Sequence, residues 1–157
     1  MNVNLYETRL NSYGIPVLEI RESYSRVENS ISNPEEAYEL LEKTVGLSRF
    51  AEEHVYVIAL NVKNKVKGIF EISHGTDNVS MFPIKETLRS CILCGSSRMI
   101  VAHNHPSGDV TPSNEDIAAT KNIIEASKIV GVQCLDHMIH GGSAFISMSS
   151  EHIGGFE

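Results

Sequence analysis

The sequence predicts an α/β protein, a three-layer mixed β-sheet flanked by helices. Segments of strand period interleave with segments of helical period instead of being grouped, which puts helices on the faces of a sheet. A short apolar run at 97–102 leads through a loop rich in Pro and Gly into a long helical pattern at 113–130, a strand–loop–helix unit. The 157 residues, 41% of them apolar, suit one domain with a real core.

Residues 5–32 are polar and weakly patterned, with one short strand expected at 15–20. We therefore separate an N-terminal extension, 1–32, from a main domain, 33–157. Asn33 is a helix N-cap, with Pro34 at the first helical position and Glu36 at the third, so a helix runs to about Val45, ahead of Gly46. Residues 54–61 and 65–73 alternate in polarity and flank Lys63-Asn64-Lys65, which reads as a β-hairpin. Pro83 opens a helix through Leu93-Cys94 that Gly95 stops. Strand 97–102, the loop and the helix 113–130 follow. Val132–Ile139 and Ala144–Ser147 form a closing hairpin around Gly141-Gly142.

The chemistry is concentrated at 103–116: His-Asn-His-Pro-Ser-Gly-Asp-Val-Thr-Pro-Ser-Asn-Glu-Asp. Alternate side chains of a strand share a face, so His103 and His105 point the same way at the strand's end and Asn104 points away. Pro106, Gly108 and Pro112 forbid regular structure until Ser113, an N-cap with Asp116 at N3. Ser-x-x-Asp by itself is adequately explained as a cap near to a capping box. Two imidazoles at a strand end followed by a returning carboxylate are not explained by packing. His103, His105 and Asp116 make the three ligands that a catalytic Zn2+ uses while leaving a fourth position for water. Zinc lowers the pKa of its water toward about 7, and a nearby carboxylate can take and return the proton. Asn104 stands between the two His, so that base lies elsewhere, with Glu53 and Glu71 on the preceding hairpin as candidates. Glu52 points to the face opposite Glu53.

His-x-His-Pro, then Ser and Asp at this spacing, resembles the signature of the JAMM (MPN+) metalloproteases, and His-Asn-His-Pro-Ser-Gly…Pro-Ser…Asp resembles their RadC-like branch. The likeness extends to Glu53–Asn61, to the Ser73-His74-Gly75-Thr76 turn and to Leu135-Asp136-His137-Met138-Ile139. It implies the JAB/MPN fold, which is cytidine-deaminase-like, and a zinc hydrolase of peptide or isopeptide bonds. It also implies that Glu53 is the general base and that the Ser113 hydroxyl stabilises an oxyanion. Fuller members of that branch have an N-terminal helix-hairpin-helix-type segment, for which about thirty residues before the main domain are too few.

A net charge of −7 and a pI of about 5.5 argue against a basic nucleic-acid footprint, although RadC-like proteins carry a DNA-repair name by tradition. A non-catalytic accessory protein of a mobile element is the alternative to a peptide or protein-conjugate hydrolase. A nucleoside deaminase would need His-x-Glu and Pro-Cys-x-x-Cys, and neither occurs. The letters His-Asn-His match those of the HNH nucleases only by accident. No secretory leader or apolar span is visible, and three Cys fit a reducing cytoplasm. Cys91 and Cys94, inside an apolar helical stretch, are expected to be buried thiols rather than ligands. Asp136 and His137 are expected to hydrogen-bond behind the site. His54, His74, His140 and His152 are expected at the surface or in turns.

Overall fold

The computed structural model describes every residue except Met1, Arg26, Glu28 and 76–81, so Thr76 of the Gly-Thr turn lies outside the described residues. Among the described residues, seven strands form one mixed sheet: β1 (Val3–Leu10), β2 (Pro16–Tyr24), β3 (Glu53–Leu60), β4 (Val66–Gly75), β5 (Arg98–Asn104), β6 (Gln133–Gly141) and β7 (Ala144–Ser147). Their order is β2-β1-β4-β3-β5-β6-β7, with β1–β4 and β5–β6 parallel and the other pairs antiparallel.

Among the described residues, three α-helices cover the faces. α1 (Pro34–Thr44) starts where expected, with the Asn33 side chain accepting from the Glu36 amide at 2.9 Å. Its Ala37, Leu40 and Leu41 pack on Tyr56, Ile58 and Leu60. The alternate residues of β3, Val55 and Val57, face the other way and meet Leu88 and Cys91 of α2 (Ile84–Leu93) and Ile123 of α3 (Asn114–Val130). Both faces of β3 are therefore apolar, as a central strand of a three-layer sandwich requires. Gly131 ends α3 in the left-handed conformation, φ 76°.

The N-terminal stretch differs from the expectation of one short strand. Val3–Leu10 is an eight-residue strand that runs parallel to β4, with Leu5 opposite Ile69 and Tyr6 opposite Phe70. Only Val3 and Leu5 are buried among its side chains, so the alternation is too short to stand out. β2 reaches Tyr24 rather than ending at Ile20, because an edge strand carries Glu19, Arg21 and Glu22 in water without loss.

Candidate metal centre

His103 is the penultimate residue of β5, and His105 follows the strand directly. The His105 amide donates to the His140 carbonyl at 2.8 Å, so the ladder to β6 continues one residue past the strand and keeps both imidazoles on one face. The loop then turns over β6 so closely that a Cβ on Gly141 would lie 2.7 Å from the Gly108 carbonyl oxygen. Only glycine permits that approach. The loop delivers Ser113 to the start of α3 in a full capping box. The Ser113 Oγ accepts from the Asp116 amide at 3.0 Å, and the Ser113 amide donates to Asp116 Oδ2 at 2.8 Å.

These pieces bring His103, His105 and Asp116 together. The Nε2 atoms of the two His are 3.0 Å apart, His103 Nε2 lies 3.2 Å from Asp116 Oδ1, and His105 Nε2 lies 3.4 Å from Asp116 Oδ2. Ligands about 2.0–2.1 Å from a tetrahedral ion lie about 3.3 Å from one another, so this spacing is that of three vertices around one ion.

The far side of each imidazole fixes which nitrogen is a lone pair. His105 Nδ1 lies 2.6 Å from the Asp109 carbonyl, which can only accept, so Nδ1 holds the proton and Nε2 faces the centre bare. Behind His103 runs a directed chain. The Thr120 hydroxyl donates to the Asp116 carbonyl at 2.6 Å and therefore accepts from His137 Nδ1 at 2.6 Å. His137 Nε2 is then free to accept from His103 Nδ1 at 2.9 Å, which leaves His103 Nε2 bare as well. Burial pushes the His137 pKa down to about 3, with the nearby His103 charge adding, so the ring stays neutral as this chain requires. Two lone pairs and a carboxylate thus face one another with no hydrogen between them, which is unfavourable unless a cation fills the space. In a metal-free site the cation is a proton. The hydrogen bond to Asp116 raises the His105 pKa, with the charges of Asp116 and Glu53 adding. Burial alone would raise the Asp116 pKa, but the bonds from His103 and His105 outweigh it and hold the carboxyl far below the carboxylate range. The residues present fit a divalent ion of tetrahedral preference.

Glu53 lies where β3 begins, on the α2/α3 face. With Val55, Phe82, His103, Asp116 and Ala119 it lines a cleft of about 700 Å³. Asn104, fully buried on the opposite face, holds this stretch in place. Its Oδ1 accepts from the His54 amide at 2.7 Å and its Nδ2 donates to the Glu52 carbonyl at 2.9 Å. Asn104, between His103 and His105, thus ties the strand end that carries Glu53 to the strand that carries the imidazoles, a role that sequence reading missed. Glu52 is exposed and Glu71 lies on the α1 face of the sheet, bonded to Arg21 and His54, so neither reaches this cleft. Ser113 is at the rim, with its hydroxyl donating to Asp116 Oδ2 at 2.7 Å.

Two other expectations need correction. His140 is fully buried and bonds Glu42 at 2.8 Å, and His54 is largely covered, stacked on Phe50 at 3.8 Å, so neither is a surface residue; His74 and His152 are exposed. Of the pair behind the site, only His137 touches one of the three clustered side chains, that of His103. Asp136 instead accepts from the Ser147 hydroxyl and the Ser149 amide, closing the C-terminal turn. Cys91 is buried against Met99, its thiol pKa pushed up to about 12 by burial, and Cys94 is half-buried at the helix end. All three cysteines are free.

The directed chain makes a testable statement about His137. His137→Leu removes the acceptor for His103 Nδ1 and should weaken zinc binding about 10–100-fold, as for other partners that orient a ligand. His137→Gln keeps an acceptor oxygen and should recover most of it. Chelator competition reads both, and equal losses in the two variants would count against the chain.

A mixed sheet between helices, with a His-x-His strand end facing a carboxylate at the next helix's start, defines a JAB-type domain. The comparisons agree: the profile of the RadC-like JAB domain matches residues 31–153, and the chain belongs to that family. An UPF0758 protein of Clostridium acetobutylicum is 38% identical over 148 residues, covering 90% of this chain and 64% of that protein. One of Caldanaerobacter subterraneus is 40% identical over 128 residues, covering 82% and 54%, and one of Desulforamulus reducens is 46% identical over 99, covering 63% and 44%. The chain thus spans about half to two thirds of the length of the first two of these relatives. Among the described residues, no helix is long and apolar enough to cross a membrane.

Proposed function

We propose that this protein is a zinc-dependent hydrolase that cleaves an amide bond, in a peptide or as the isopeptide link of a protein conjugate. The observation that carries the reading is the convergence of three acceptors, with both imidazoles oriented from behind, at the mouth of a cleft that also holds a carboxylate free of the cluster. His103, His105 and Asp116 would hold the Zn2+. When bound, it supplies a Lewis acid and water acidified to pKa about 7.

The chain's own groups supply the rest. Glu53 holds a carboxylate in the cleft, where it can take a proton from water and return it to the leaving nitrogen. Val55, Phe82 and Ala119 make an apolar wall that suits a side chain next to the scissile bond and excludes water from it. Ser113 has the position for an oxyanion donor, a group worth about 3 kcal/mol. Its hydroxyl is committed to Asp116 here, so that role requires the hydroxyl to rotate away from Oδ2. The acidic balance favours a protein over a nucleic-acid partner, and three free cysteines suit the cytoplasm.

The test joins metal analysis with a screen. The purified chain should hold about one tightly bound zinc, as three-ligand catalytic sites do. It should cleave a member of a panel of peptides and protein conjugates, lose that activity to a chelator and regain it with zinc. His103→Ala and His105→Ala should each remove most of the zinc. Full zinc content in both variants would overturn the ligand assignment; a zinc-loaded chain inert toward the whole panel would favour a non-catalytic accessory role.

A further inference from the structure

On the opposite face of β3 from Glu53, His54, Glu71 and His74 converge. His54 and His74 are cross-strand partners on β3 and β4, and their rings stack at 5.1 Å. Glu71 is three residues before His74 on the same strand, a spacing that would put the two side chains on opposite faces of a regular strand. A β-bulge changes this. Glu71 is opposite Tyr56 while Ser73 is opposite Val55, so Ile72 is an extra residue and the alternation resets across it. Glu71 and His74 therefore share the face that His54 occupies.

We propose that His54, Glu71 and His74 form a second divalent-metal site, separate from the cleft, that takes a borderline transition ion such as Zn2+. Four observations carry it. Glu71 Oε1 lies 2.8 Å from His54 Nδ1 and 3.2 Å from His74 Nδ1, close to the separation of about 3.3 Å between ligands of a tetrahedral ion. Arg21 grips the other carboxylate oxygen, Oε2, at 2.8 Å, so the carboxylate is oriented from outside and presents one oxygen to the two imidazoles. His54 is held from behind by the Phe50 ring at 3.8 Å, which fixes one imidazole in advance. His74 is 62% exposed, which leaves a route for an ion to enter and a place for water as fourth ligand.

Two imidazole nitrogens and one carboxylate oxygen are the donors that zinc, cobalt, nickel and copper prefer over magnesium or calcium. In the metal-free protein His54 Nδ1 donates to Oε1; an ion bound here takes the lone pair of each Nδ1, and each neutral ring then carries its proton on Nε2. The affinity is lower than at the cleft, because one imidazole is mobile in water and must be ordered. His54 follows Glu53 directly, so an ion here clamps β3 to β4 at the strand end that carries the cleft carboxylate.

Zinc binding to three forms of the whole chain tests this: wild type, His103→Ala/Asp116→Ala, and His74→Ala. The double variant cannot fill the cleft site, so its zinc reports the second site whether or not the hydrolase reading holds. It should bind about one zinc in the micromolar range, and adding His74→Ala should abolish that binding. Wild type should bind two ions in two steps, with His74→Ala losing only the weaker. Cobalt titration gives an independent readout, since the weaker step should show its own absorption band. The proposal is overturned if the double variant binds no zinc, or if wild type and His74→Ala bind equal amounts. His74 is exposed, so the wild-type comparison remains decisive even if the double variant does not fold.

Discussion

Glu53→Gln should leave zinc in its site and lower hydrolysis by about 10²–10⁴-fold, the usual contribution of a positioned acid–base group. The substitution keeps size and shape, and Glu53 lines the cleft beside His103 and Asp116 without belonging to the cluster of three donors. Metal content is thus expected to be unchanged, and the loss should fall on kcat. Glu52→Gln and Glu71→Gln are the controls. Glu52 is exposed, and Glu71 is bonded to Arg21 and His54 on the far face, so both should keep near-normal turnover. A dead Glu71→Gln with an active Glu53→Gln would transfer the base to the other strand. Asn104→Ala should lie between these extremes, because it unties the Glu52–His54 stretch from β5 without touching either the metal ligands or the carboxylate.

The parts of this fold that sequence reading found are those governed by local rules. Asn33, Pro34 and Glu36 mark a helix start because capping is a matter of three or four adjacent residues. The convergence of His103, His105 and Asp116 was legible for the same reason: strand alternation places His103 with His105, and capping places Asp116 at the helix start, all within fourteen residues. The hidden features depend on distant partners or on backbone irregularity. The contact of His137 with His103 is recognisable only once β5 and β6 pair in parallel and Thr120 arrives from α3. His140 looks like a strand-end surface residue until α1 brings Glu42 against it. The bulge at Ile72 has no signal in a run that alternates on both sides of it, yet it decides which face His74 shares. The N-terminal hairpin was underestimated because β1 buries only two side chains and β2 is an edge.

Asp116→Ala should have the largest effect on the metal, greater than the roughly 10–100-fold loss typical of groups that only orient a ligand. It removes the anionic donor, and it also breaks the capping box, since the Ser113 amide loses its acceptor. That second loss should cost about 1 kcal/mol of stability even without metal. Asp116→Asn separates the two effects, because its amide oxygen can still accept from the Ser113 amide while the charge is gone. The pH dependence has a definite sign. In the metal-free wild type, Asp116 has a lowered pKa, so its contribution is present above the unfolded value of about 3.9 and is lost on acidification below it. His105 has a raised pKa, so its contribution is full below the unfolded value of about 6.5 and is lost as pH rises through the folded one. The metal-free pair is thus most stabilising between about pH 4 and 6.5. Above that window His105 gives up its proton and the bare acceptors face one another. Zinc acts in the opposite direction, since it must displace the His105 proton and binds better as pH rises. The gain in Tm on adding zinc, measured in a His74→Ala background so that only the cleft site responds, should therefore grow from pH 5.5 to pH 8 and be nearly absent at both once Asp116→Ala is added. In that background, a zinc-induced gain that shrinks toward pH 8, or one that survives Asp116→Ala, would show that the stabilising ion sits somewhere other than between His103, His105 and Asp116.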